Sequence, residues 1–237
     1  MKNTATIALK EFRSYLASPM AYVVTGIFLI LTGFLFSSTS TTFLETSIKG
    51  LWGFWGAFLM LILAVLLTMR LLAEERKMGT LELLMTAPVR DSEIILGKFF
   101  ASLGVLTIML VLTFYYPLLL MWFGDPDWGP IFAGYLGLLL LGSTALSIGI
   151  FASSLTANQL VAAVVAGGIV CALWFSGVAT TVLPPAMSNV LNYISLYYHF
   201  PDFMTGVVDT RAIVYYLSTT ALFLFLATRS LENSRWN

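Results

Sequence analysis

The chain has 237 residues, of which 59% are hydrophobic and only 10% are charged, and its mean hydropathy is +0.90. An ordinary soluble domain carries about 25% charged residues, so this composition argues against a water-soluble protein and predicts a membrane protein with lipid around most of its surface. The net charge of zero gives no basic field for nucleic acid, and the single cysteine, Cys171, excludes a disulfide framework within the chain.

Long apolar runs predict an all-α polytopic membrane protein with six transmembrane helices in a single permease-like domain, 1–237. A span needs about 20 apolar residues, and runs of that length recur along the chain, separated by charged or polar residues. The longest uncharged stretch, 128–201, exceeds one span, and its polar cluster 153–159 predicts a turn. The predicted spans are 19–43, 51–73, 99–123, 130–152, 158–181 and 212–229.

The distribution of lysine and arginine predicts the orientation. If both termini lie on one side, ten of the twelve basic residues lie there as well, and only Lys49 and Arg211 lie opposite. Cytoplasmic loops carry the excess of basic residues. We therefore expect both termini and the segment 70–98 to be cytoplasmic.

Two segments outside the spans are expected at the membrane surfaces. In residues 2–17, apolar residues recur at helical spacing while Lys10 and Arg13 share another face, which predicts an amphipathic interfacial helix. Residues 184–210 are too apolar for a free external loop and predict short re-entrant helices between the fifth and sixth spans. Tryptophans near the span ends are predicted interfacial anchors, namely Trp52, Trp55, Trp122, Trp128 and Trp236.

The sequence offers no catalytic constellation. Metal chemistry needs several converging ligands, but the chain has one histidine, His199, and its predicted spans contain no carboxylate. Serines such as Ser153 and Ser176 have no plausible base in the membrane, and the phosphate-binding pattern G-x-x-x-x-G-K-[ST] does not occur. We therefore predict that the chain is not an enzyme and that any energy from nucleotide hydrolysis arrives from another chain.

Residues 70–98 are the most charged part of the chain, with five of its twelve basic and five of its twelve acidic residues. Thr80 is a suitable helix cap with Glu82 in the first turn, and Pro88 ends the segment. The pattern predicts a short amphipathic helix over 78–88, placed to contact something in the cytoplasm. The alternative is a solvated loop that only fixes the topology.

The motifs of this segment resemble those of the ABC-2 type (type V-like) transporter permeases. The residues that carry the resemblance are Glu75-Arg76, Gly79-Thr80-Leu81-Glu82, Leu84, Ala87-Pro88-Val89 and Gly97-Lys98. In that family, the segment between the second and third helices is a coupling helix that a cleft in the ATPase subunit receives. Through Phe12-Arg13, the turn 154–159 and Tyr198-His199-Phe200, the chain is most similar to the gliding-motility-associated subgroup, and the nitrous-oxide-reductase maturation permeases are also similar.

The resemblance implies a half-transporter in the bacterial cytoplasmic (inner) membrane. Two permease copies, expected to form a homodimer, would work with two cytoplasmic ABC ATPase subunits, which would bind ATP and Mg, while this chain would bind no cofactor and no metal. The subgroup further implies a membrane-anchored subunit with an extracytoplasmic domain. Export of a cargo, force transmission to that partner without transport, and copper-enzyme maturation stay open as alternatives.

The resemblance also assigns roles to individual residues. The acidic and basic residues before Gly79 would contact the ATPase or a gate, and those from Thr80 onward would sit at the docking cleft. The predicted coupling residues are Glu74, Glu75, Arg76, Gly79, Thr80, Glu82, Leu84 and Pro88. Small residues of the fourth and fifth spans, Gly142, Gly149 and Gly167, allow close helix approach; they would serve a dimer face, a pathway or packing within one subunit.

Overall fold

The computed structural model describes residues 2–39, 49–80, 89–123, 126–178 and 184–234. Every regular element in these ranges is a helix and none is a strand, which confirms the all-α prediction. The helices are α1 (Lys2–Ala17), α2 (Pro19–Thr39), α3 (Lys49–Trp52), α4 (Phe54–Thr68), α5 (Ala73–Lys77), α6 (Asp91–Leu112), α7 (Tyr115–Phe123), α8 (Trp128–Leu155), α9 (Gln159–Phe175), α10 (Pro185–Ile194), α11 (Pro201–Met204) and α12 (Thr210–Ser234).

Five stretches of the described chain are long and apolar enough to cross a membrane. They are Ala21–Ser38, Phe54–Lys77, Asp91–Trp122, Trp128–Leu155 and Thr210–Asn233. Helix α9, in the place of the predicted span 158–181, has 17 residues. At 1.5 Å per residue it is about 25 Å long, which is shorter than a hydrocarbon core of about 30 Å. The sixth span therefore stays a prediction.

Helix α8 is the centre of the bundle and packs against α4, α6, α9 and α12. In the apolar stretch of α8, 83% of the residues are buried, whereas only 22% are buried in the apolar stretches of α2 and α12. Its small residues explain the position, because neighbouring helices approach it closely at glycines. Between α8 and α12, the buried hydroxyls of Thr144 and Thr220 lie 3.1 Å apart, which adds a polar link inside the apolar bundle.

The predicted span 99–123 is divided into α6 and α7. Pro117 has no N–H to donate to the carbonyl of Thr113, and its ring conflicts with that carbonyl, so the helix breaks there. The break turns Tyr116 toward α2, where its hydroxyl lies 3.1 Å from Thr32 Oγ1. The helix that contains the predicted third span begins at Asp91 and is interrupted after Leu112, while the membrane boundaries 99–123 stay a prediction.

The segment after α9 folds back onto the bundle. The Leu196 N–H donates to the carbonyl of Leu173 at 3.1 Å, and Phe203 is fully buried against Gly137, where a Cβ would come within 2.8 Å of the ring. Helices α10 and α11 are short, as expected for 184–210. Their insertion into the outer leaflet remains a prediction.

The anchor prediction is wrong for Trp52. Its side chain is fully buried and packs on Phe28 and Tyr135, at ring-centre distances of 6.1 and 6.0 Å, so it cannot reach a lipid interface. By contrast, Trp55 and Trp122 are 67% and 86% exposed, as an interfacial anchor requires. The sequence placed Trp52 at a span end, but the short helix α3 turns it inward.

Candidate coupling site

The predicted coupling residues lie in and after α5, which follows the second candidate span. Three of them, Glu82, Leu84 and Pro88, lie outside the described residues, as does most of the predicted helix 78–88. The other five lie in α5 or within three residues of its end. Gly79, two residues after the end of α5, has a φ of 71°, in the left-handed region that favours glycine.

The start of α5 is hydrogen-bonded to a side chain of the central helix α8. Ser153 of α8 is fully buried, and its Oγ accepts hydrogen bonds from the N–H groups of Leu72 (3.1 Å) and Ala73 (3.0 Å). The same hydroxyl donates to the carbonyl of Met69 at 3.0 Å. The first N–H groups of a helix have no partner within it, so one hydroxyl both caps α5 and ties it to α8.

Ser153 was predicted to lie in the turn 153–159, and that boundary is wrong. Helix α8 continues to Leu155, and the turn is confined to residues 156–158. Asn158 then caps α9 by accepting a hydrogen bond from the Leu160 N–H at 2.9 Å. A serine in a polar cluster favours a turn prediction. Its role as the cap of α5 could not be predicted, because it lies 81 residues from Leu72 in the sequence.

We expect Ser153→Ala to lower the free energy of unfolding by about 1–3 kcal/mol, because it leaves two buried N–H groups without an acceptor. Thermal unfolding in detergent measures the loss. Ser147→Ala is the matched control, since Ser147 is equally buried but its hydroxyl donates only to the Thr144 carbonyl of its own helix. Equal losses in the two variants would contradict a special role for Ser153.

A buried ion-pair network connects α5 with two other helices. The Nζ of Lys98 in α6 lies 2.7 Å from Glu75 Oε1 and 3.3 Å from Glu11 Oε1 of α1. The Lys98 side chain is 1% exposed, and those of Glu75 and Glu11 are 20% and 16% exposed. Such a pair resists separation, because removing one partner leaves a charge in a poorly solvated site.

Close packing of α1 on α6 holds this network in place. A Cβ at Gly97, the neighbour of Lys98, would lie 2.7 Å from the side chain of Ile7, and one at Gly104 would lie 3.1 Å from the ring of Phe12. Glycine at both positions lets the two helices approach. Residues 2–17 are helical as expected, and part of their apolar face is covered by α6; their placement in the headgroup plane stays a prediction.

A cleft of about 650 Å³ opens beside the network, between α1 and residues 70–80. Its walls carry both signs of charge, with Lys10 and Arg70 as cations and Glu11, Glu74 and Glu75 as anions. Within the described ranges, no group of three or more His, Cys, Asp or Glu side chains could hold a metal ion. The side chains of the cleft therefore offer ion pairing and hydrogen bonding to a ligand.

Arg70 of this cleft is held by two contacts with the end of α1 and the residue that follows it. Its guanidinium carbon lies 5.3 Å from the centre of the Tyr15 ring, and its Nη1 donates to Ser18 Oγ at 3.1 Å. Tyr15 is itself buried and donates from its hydroxyl to the carbonyl of Leu67 at 2.7 Å. Burial raises the pKa of Tyr15 well above its ordinary value, so the phenol remains a neutral donor.

The three glycines singled out for helix packing differ in what they face. A Cβ at Gly142 would come within 2.8 Å of Leu106, and one at Gly149 within 1.9 Å of Thr68 Oγ1, so both glycines pack within the subunit. A Cβ at Gly167 would meet no atom of the described chain within 4 Å. Of the three, Gly167 alone keeps its backbone open to a neighbour.

The chain matches the model of a known protein family. The family model described as ABC-2 family transporter protein matches residues 5–232, and a comparison with curated proteins found no match. Proteins of this family are membrane subunits rather than catalytic chains, and five apolar helices agree with a multi-pass membrane protein. Because the match covers nearly the whole chain, the protein belongs to the ABC-2 family of transporter proteins.

Proposed function

We propose that the chain is the permease subunit of an ABC transporter, which performs export or conformational work, and that residues 70–98 couple it to a separate cytoplasmic ATPase. The observation that carries the proposal is the ion pair of Glu75 with Lys98. Glu75 lies in the charged segment that would dock on the ATPase, and Lys98 lies in the next candidate span. A displacement of α5 therefore acts directly on the membrane domain.

The second connection supports the same role. Ser153 holds the start of α5 on the central helix α8, while Lys98 holds its middle on α6 and, through Glu11, on α1. A change in the position of α5 would therefore alter its contacts with α8, α6 and α1 together. Shifting a two-state equilibrium from 1:99 to 99:1 needs about 5.5 kcal/mol of differential interaction. Breaking a buried ion pair costs about 3–5 kcal/mol, so this network together with the packing of the helices is of the required magnitude.

The assembly we propose has two copies of this chain and two ATPase subunits, which would bind ATP and Mg. Both termini would lie in the cytoplasm, consistent with the basic residues around 70–98. The open backbone at Gly167 on α9 suits contact with a second copy, whereas Gly142 and Gly149 are occupied within the subunit. The resemblance to the gliding-motility-associated permeases supports a membrane-anchored partner with an extracytoplasmic domain.

A pull-down in mild detergent tests the proposal. We expect the tagged protein to retain an ATPase subunit, and Glu82→Lys to lose it while the protein is produced at the same level, because a cation replaces an anion at the predicted docking helix. Glu232→Lys is the control, since the Glu232 side chain is 40% exposed and its ion pair within the described chain is with Arg229 of its own helix, at 2.7 Å. An ATPase retained equally by both variants would count against docking at Glu82.

A further inference from the structure

Arg70 forms no direct ion pair within the described chain. It is half-buried, and its partners are the Tyr15 ring and the Ser18 hydroxyl. Its guanidinium has no ion pair with a carboxylate of the described chain, and neither has Lys10 on the opposite wall. A cation withdrawn from water favours a bound anion, and a guanidinium suits a phosphate because it can donate two parallel hydrogen bonds.

The cleft opens at the end of an apolar helix, where lipid headgroups are expected. Arg70 comes two residues after the end of α4, on the side that the basic residues of 70–98 predict to be cytoplasmic. On the other wall, Leu9 and Leu16 of α1 are 51% and 43% exposed, as expected for a helix in contact with lipid. Phospholipid is therefore the most abundant source of phosphate at this site.

The cleft also has an acceptor for a positively charged group. Glu74 lies one helical turn after Arg70, is half-buried, and forms no ion pair in the part of the chain that the structure describes. A ligand with a phosphate and an ammonium group would match Arg70 and Glu74 together. We propose that this cleft binds the headgroup of an amine-bearing, zwitterionic phospholipid from the cytoplasmic leaflet, with the phosphate at Arg70 and the ammonium at Glu74.

A basic side chain from a partner protein is the competing occupant, and the charges disfavour it. It would pair with Glu74 but would lie in a cleft that also holds Lys10 and Arg70, both of which repel it, and it would leave Arg70 without an anion. A zwitterionic headgroup satisfies both signs at once. Binding needs no ATPase, so its failure would leave the proposed function unaffected.

The test measures binding of soluble short-chain lipids to the purified protein in a maltoside detergent by isothermal titration calorimetry. The probes are dihexanoyl-phosphatidylethanolamine, dihexanoyl-phosphatidylglycerol and O-phosphoethanolamine. We expect the first to bind at least tenfold more tightly than the other two. Arg70→Gln should weaken its binding at least tenfold, and Glu74→Gln should abolish the preference over phosphatidylglycerol.

Arg13→Gln is the matched control, because Arg13 is an exposed cation of α1 that does not line the cleft; it should bind as the unaltered protein does. If Arg70→Gln fails to fold, Glu74→Gln decides alone. A preference for phosphatidylglycerol, or equal effects of Arg70→Gln and Arg13→Gln, would overturn the proposal. Equal binding of O-phosphoethanolamine would show a soluble ligand instead of lipid, and no binding of any probe would point to the partner's side chain.

Discussion

Replacing Lys98 by methionine is expected to lower the free energy of unfolding by about 3–5 kcal/mol. Methionine fills a similar volume but leaves Glu75 and Glu11, both mostly buried, without their counter-charge. Two carboxylates that share one ammonium would then face each other directly. The same change should uncouple the permease, because α5 loses its connection to α6.

A set of combined variants separates charge from packing. If the loss in Lys98→Met comes from unpaired carboxylates, adding Glu75→Gln and Glu11→Gln should restore most of the stability, since a neutral set carries no penalty for buried charge. Thermal unfolding in detergent gives the stability of each variant. Failure of the neutral triple variant to recover would show that Lys98 acts through its packing instead.

The functional part of this prediction needs the ATPase subunit. In proteoliposomes that contain both proteins, we expect Lys98→Met to remove the dependence of ATPase activity on the permease, and the neutral triple variant to recover stability without recovering that dependence. Lys77→Met is the control, because Lys77 is an exposed lysine in the last turn of α5. A coupled triple variant would mean that the ion pair only stabilises the fold.

The helical bundle was readable from the sequence because apolar length alone decides where a span can lie. The polar segment 70–98 was also visible, since charge in such an apolar chain stands out. The positions of individual turns were harder to predict: Ser153 stays helical although serine is common in turns, and Trp52 is buried although tryptophan favours the interface. In both cases a tertiary contact outweighed the local preference.

The residues that complete the candidate site could not be predicted. Glu11 lies 87 residues from Lys98, and no periodicity relates them; only the packing of α1 on α6 brings them together. The sequence places Lys98 in a family motif but indicates no partner for it. Glu75 is predicted to contact the ATPase or a gate. In the structure its Oε1 lies 2.7 Å from Lys98 Nζ, and its side chain is 20% exposed. Sequence gives the chemistry of such a group, but the fold supplies its partner.

Glycine replacements should distinguish packing within a subunit from packing between subunits. We expect Gly149→Ala to lower the free energy of unfolding by about 3 kcal/mol, at the upper end for overpacking, because its Cβ would lie 1.9 Å from Oγ1 and 2.9 Å from Cβ of Thr68. Thr68 is buried and cannot turn away freely, since its hydroxyl donates to the Ala64 carbonyl at 2.9 Å. Adding Thr68→Ala should recover part of the loss, because it removes the closer of the two contacts.

Gly167→Ala is the matched replacement, made in the middle of a helix where no described atom would meet the new methyl group within 4 Å. In a single subunit it should raise stability by up to about 1 kcal/mol, since alanine is the better helix former. If a second copy packs on Gly167, the same change should instead weaken the dimer, which size-exclusion chromatography with light scattering would detect.

Unfolding and dimerisation are thus expected to respond to different glycines, unfolding to Gly149 and dimerisation to Gly167. A Gly149→Ala variant of normal stability would contradict the packing described for α4 and α8, whereas an unaffected dimer in Gly167→Ala would move the contact between subunits away from this face of α9.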